Sequence, residues 1–197
     1  MVHLAGLIFL VPASVLLVSQ ASSKGRIFLL LAVIAYALAA LFSISISFAY
    51  HLLPRHELRT VLRKWDHAAI YGVIAGVFGP LLVVCDTWSA FAILAILWAF
   101  AIGGVWFKLS GGNPDSKWSL ISYLGMGWFA LVALPDFLEG LPRLCLGLIA
   151  AGGAFYTLGT VFYRRKAMPY RYPIWHALGT CGGLSFFASI WLAVQTA

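Results

Sequence analysis

The sequence predicts an all-α membrane protein: a single domain over residues 1–197, built as a seven-transmembrane-helix bundle with its N-terminus cytoplasmic and its C-terminus outside. Three observations carry this. Of 197 residues, 62% are hydrophobic and 10% are charged, where a soluble domain carries roughly 25% charged residues. Apolar runs long enough to cross a bilayer recur seven times between short polar breaks. The basic residues crowd into alternate breaks, which is the pattern that orients a membrane protein.

The apolar runs fall at about Leu4–Ser19, Ile27–His51, His67–Val84, Trp88–Leu109, Trp118–Leu134, Leu144–Tyr163 and Ile174–Val194. The first could be taken for a signal peptide. No Lys or Arg precedes it, and Ala21-Ser22-Ser23 offers no clean cleavage pattern, so it is read as a span. Ser22-Ser23-Lys24-Gly25 separates it from the second. Leu53-Pro54-Arg55 ends the second, and a loop of about fifteen residues, Leu52 to Asp66, leads to the third. Gly111-Gly112-Asn113-Pro114-Asp115 divides the fourth from the fifth. Pro135-Asp136 ends the fifth, and Arg164-Arg165-Lys166 ends the sixth. Gly72 and Gly76, four apart, suit close helix packing. Trp65, Trp88, Trp118 and Tyr163 stand near span ends as interface anchors.

The loops after spans two, four and six hold Arg55, Arg59, Arg63, Lys64, Lys108, Lys117, Arg164, Arg165, Lys166 and Arg171. The other side holds Lys24, Arg26 and Arg143. The basic side is therefore expected in the cytoplasm. The net charge of +7 belongs to this topology and not to a nucleic-acid surface. Cys85, Cys145 and Cys181 are three separate cysteines without metal-type spacing, so no disulfide framework is expected.

Polar side chains are costly in lipid, so those near the spans carry the information. His51 ends span two, Asp66 and His67 begin span three, and His176 begins span seven. By the orientation above, all lie at the cytoplasmic depth. Ser47 is one helical turn before His51, and Tyr71 one turn after His67. Asp66 could instead be a helix N-cap. His3 and His56 read as interfacial. Asp86, Asp136 and Glu139 read as solvated loop charges on the outer side.

Several of these residues sit in longer motifs. They are Ser47-Phe48-Ala49-Tyr50-His51, Asp66-His67-Ala68-Ala69-Ile70-Tyr71 followed by Ile74-Ala75-Gly76, Tyr123-Leu124-Gly125-Met126-Gly127-Trp128, Gly153-Ala154-Phe155-Tyr156-Thr157-Leu158-Gly159 with Phe162-Tyr163, and Ile174-Trp175-His176. In this order the chain resembles the hemolysin III proteins, grouped with the adiponectin and progestin receptors. The resemblance implies seven helices and a zinc ion near the inner leaflet. By it, His51 and His176 match zinc ligands, Asp66 the acid that holds a bound water, and Ser47 the serine beside the site. It also implies a second histidine on the last helix, four residues before His176. That position is Tyr172. The third ligand could then be Asp66 itself, His67 or the Tyr172 phenol.

Two functions follow from different classes. One is a zinc-dependent hydrolase acting on a lipid amide or ester, ceramidase-like by resemblance, in the plasma membrane. His51 and His176 would hold the ion, Asp66 would accept the water's proton, and Ser47 would support the ligands or the developing oxyanion. The other is a non-enzymatic membrane protein, cytolytic or receptor-like, with a structural polar cluster. The polar groups gather at one end instead of following a pathway, which argues against a channel. The last span has no Lys, which argues against a retinal protein. Lipid is the expected partner in both readings. Single cysteines placed in the loops after spans two, four and six should be labelled from the cytoplasmic side. A C-terminus found on that side would show the span count to be wrong by one.

Overall fold

A computed structural model of the chain describes residues 2–52, 56–111, 113 and 116–197. All its regular elements are helical. They are α1 (Val2–Ser23), α2 (Ile27–Leu52), α3 (His56–Cys85), α4 (Trp88–Leu109), α5 (Lys117–Phe129), a 3₁₀ turn (Ala130–Ala133), α6 (Leu134–Gly140), α7 (Arg143–Arg164) and α8 (Arg171–Thr196). They form seven crossings, each long and apolar enough to span a membrane, with the fifth running from Lys117 to Gly140. The breaks expected at Leu53-Pro54-Arg55 and at Gly112, Pro114 and Asp115 lie outside the described residues, as does the His56 side chain.

α3 is the hub. It packs against α2, α4, α5, α6 and α8, and buries Tyr71, Ala75, Phe78, Leu81 and Leu82. Small residues permit the approach. A Cβ on Gly76 would come to 3.2 Å from the Tyr36 Cα on α2, and one on Gly72 to 3.9 Å from Ala39. α7 and α8 are tied reciprocally: Ser189 Oγ donates to the Cys145 carbonyl at 3.1 Å, and Cys145 Sγ to the Ser189 carbonyl at 3.5 Å. Large apolar side chains such as Ile8, Phe28, Ile102 and Trp106 point outward, as expected of surfaces that meet hydrocarbon instead of water. All three cysteines are free thiols on helices.

Three sequence expectations change. First, α3 begins at His56, so Asp66 is the eleventh residue of a helix and not its N-cap, and no loop of about fifteen residues precedes it. The segment is polar and reads as a loop, yet it continues the helix beyond the apolar stretch. Second, the fifth crossing does not end at Pro135. The 3₁₀ turn carries it on, and Pro135 enters α6 in its first turn, where a missing N–H costs nothing. Asp136 is consequently a buried acid, 9% exposed, and not a solvated loop charge. It accepts hydrogen bonds from Thr87 Oγ1 at 2.5 Å and Ser89 Oγ at 2.7 Å, which fasten α6 to the start of α4. Third, Lys108 is not a loop charge. It lies in the last turn of α4, fully buried, and donates to Ser119 Oγ of α5. Asp86 does stay exposed, paired with Arg26 at 3.3 Å.

The Asp136 clip makes a measurable prediction. Asp136→Ala leaves two hydroxyls without their acceptor, a cost of about 1–3 kcal/mol. The thermal midpoint of the detergent-solubilised protein should fall, and an unchanged midpoint would mean that these hydroxyls find water instead.

Candidate metal centre

Up-and-down connectivity brings the start of α1, the end of α2 and the start of α8 to one end of the bundle. A histidine stands at each: His3 in the first turn of α1, His51 in the last turn of α2 and His176 in the second turn of α8. Their rings form a triangle with centroid separations of 5.2 Å (His3–His51), 4.9 Å (His3–His176) and 5.2 Å (His51–His176). One ring nitrogen from each lies within 4.8 Å of the others, the only such group of His, Cys, Asp or Glu among the described residues.

This donor set fits zinc. Catalytic zinc commonly takes three protein ligands, and Zn–N bonds of about 2.0–2.1 Å in a tetrahedron put the nitrogens about 3.3 Å apart. Rotation of the imidazoles by an ångström or so would suffice. His51 is exposed and the other two are half-buried, so the triangle opens on one side.

The supporting groups are placed by helix periodicity. Ser47, one turn before His51, shares a 3.1 Å hydrogen bond with His3 Nε2. Such a bond fixes which ring nitrogen is left to face an ion. Asp66 stands on α3 beside the triangle, close enough for its charge to act on His3. It is not one of the three mutually close ligands. Tyr50 packs against His51 at 4.9 Å, and the Arg59 guanidinium lies 5.2 Å from the Tyr50 ring.

The other two candidates for the third ligand are engaged elsewhere. His67 turns its Nδ1 to the Arg63 carbonyl, 2.9 Å away on the same helix. Its own carbonyl accepts from Tyr123 Oη at 2.7 Å, and Tyr71 and Ser122 share a 2.6 Å hydrogen bond nearby. Tyr172 is 47% exposed. Its hydroxyl accepts from Arg171 at 2.8 Å, and its ring meets Tyr163 at 5.8 Å. The sequence predicts an interfacial His3, whereas in the structure its ring lies against those of His51 and His176. Strand-of-chain parity was the available signal: a residue before the first crossing lies at the same end as the close of the second and the opening of the seventh.

The model of the haemolysin-III related family matches residues 1–178. The chain belongs to that family. It is 31% identical to Hemolysin-3 of Bacillus cereus, covering 99% of this chain and 90% of the relative. It is 29% identical to the Hemolysin-3 homolog of Bacillus subtilis, covering 94% and 87%. The likeness reaches the human monocyte to macrophage differentiation factor, 27% identical over 78% of this chain and 66% of that protein. No solved structure gives a significant match.

Tyr172→Phe removes only the hydrogen bond to Arg171. Stability should change by less than about 0.5 kcal/mol, and metal content should match that of the wild type by elemental analysis. Loss of bound metal in this variant would place the phenol in the site.

Proposed function

We propose that this member of the haemolysin-III related family is a zinc-dependent hydrolase of a lipid amide or ester, working at the inner leaflet of the plasma membrane. The observation that supports it best is the meeting of three imidazoles from three distant stretches of chain, with an acid and a serine beside them. His51, His176 and His3 would hold the ion. When bound, zinc acts as a Lewis acid and brings the pKa of water towards ~7.

The chain's own groups account for the remaining work. The Asp66 carboxylate receives the attacking water's proton and returns one to the departing nitrogen or oxygen, as general acid–base catalysis requires. Ser47 holds the His3 ring in one orientation through its 3.1 Å bond, which limits the reorganisation needed as charge develops. The exposed edge at His51 lets a lipid carbonyl approach from the side. A substrate with one polar group and long apolar tails suits a site at the end of otherwise apolar helices. The basic residues at this end, Arg59 among them, support a cytoplasmic location by the positive-inside rule.

A cytolytic pore is less well supported, although Hemolysin-3 is the name of a Bacillus relative. The mid-depth hydroxyls of α7 and α8 turn back on their own helices: Thr157 donates to the Gly153 carbonyl at 2.7 Å and Ser185 to the Cys181 carbonyl at 2.9 Å. Such groups line no continuous polar path.

Detergent-purified wild type should carry about one zinc per chain by elemental analysis, the stoichiometry of a three-ligand site. His51→Ala and His176→Ala should each lose it. Asp66→Asn should keep the metal while ceramide hydrolysis falls by about 10²–10⁴-fold, the usual loss for a general base. Wild type free of transition metal at neutral pH without chelator would overturn the proposal.

A further inference from the structure

α1 is divided in its packing. Its buried residues, Ser14, Leu17 and Ala21, all lie in the C-terminal half, and none of residues 3–13 is buried. Pro12 sits between the halves. Proline in a helix removes one backbone hydrogen bond and clashes with the carbonyl four residues back, so it marks the natural pivot. Above it, residues 3–11 are all exposed or half-buried. Phe9 meets Phe187 of α8 edge-on at 5.8 Å, and Gly6 comes so close to Ile44 of α2 that a Cβ there would collide with it. Its polar attachment is at the tip, where His3 bonds Ser47 of α2 and lies against His51 and His176.

We propose that residues 2–11 of α1 form a metal-latched flap. Resting on the metal reading above, the inference adds that ligation by His3 fastens this half-helix to α2 and α8. Release of the ion frees it to swing about Pro12 and open the site sideways to the bilayer. Binding and closure are then linked: whatever tightens one tightens the other by the same factor. No proline stands between His51 or His176 and the buried residues of α2 and α8, so His3 is the one ligand carried on a hinged segment.

Spin labels on cysteines replacing Ile8, on the flap, and Trp106, exposed on α4, report the movement in a background without Cys85, Cys145 and Cys181. A second pair, at Leu16 and Trp106, reports the buried half of α1 and the integrity of the fold. With zinc, the Ile8–Trp106 distance should be single and narrow. After chelation it should broaden or shift by several ångströms while the Leu16 pair holds. His3→Ala should leave the flap loose with or without zinc and weaken zinc binding by tenfold or more. Tyr172 lies one turn before His176 on the same face of α8. The double variant His3→Ala/Tyr172→His should therefore regain zinc affinity but not flap order, which separates latching from ligation. If wild type binds zinc stoichiometrically and the Ile8 distance ignores chelation, the flap is overturned and the metal site stands. If wild type binds no zinc, the metal reading falls and the latch with it.

Discussion

Hydrocarbon offers no partner to a polar group, and this constraint shapes the molecule more than any single contact. A polar side chain on these helices must reach an end of the bundle, turn back on its own backbone or meet a partner on another helix. Each solution is present. Thr157 and Ser185 bond carbonyls one turn back. Ser189 reaches the Cys145 carbonyl across the α7–α8 contact. Asp136 and Lys108, the costliest groups to bury, are matched with hydroxyls of a neighbouring helix at opposite ends of α4. The histidines take the remaining course and collect at one end, where rings from three helices lie within 5.2 Å of each other. Among the described residues, the buried Ser14 Oγ and Gln20 Oε1 have no hydrogen-bond partner.

The same constraint explains what could be read from the sequence. Seven apolar runs give seven crossings because lipid filters composition over ~20 residues at a time, which leaves a strong signal. Composition says nothing about where a helix stops once it leaves the hydrocarbon. α3 therefore runs to His56, through a stretch whose charges look like a loop. A proline after an apolar run ordinarily closes a helix. Here a 3₁₀ turn supplies a fresh start, Pro135 enters a first turn, and Asp136 is drawn inward.

The candidate site shows the limit of local motifs. His51, His176, Asp66 and Ser47 all belong to recognisable stretches, and the fold brings them to one end. Tyr172 stands where the resemblance calls for a histidine, and nothing near it in sequence makes up the loss. The third imidazole beside His51 and His176 belongs to His3, some 170 positions away at the start of α1, in a region without a motif. Side chains that meet in space need not be near in sequence, so a cluster drawn from three helices leaves no mark in spacing. Parity of crossings is the one sequence property that relates the two places.

The 3₁₀ turn in the fifth crossing also has a dimensional effect. A 3₁₀ helix advances about 2.0 Å per residue where an α-helix advances about 1.5 Å. Over the four residues Ala130–Ala133 that adds about 2 Å to the crossing. Interconversion of the two forms would let this one column lengthen or shorten without changing its sequence. The fifth crossing is in that sense the extensible member of the bundle, and its far end is pinned to α4 through Asp136.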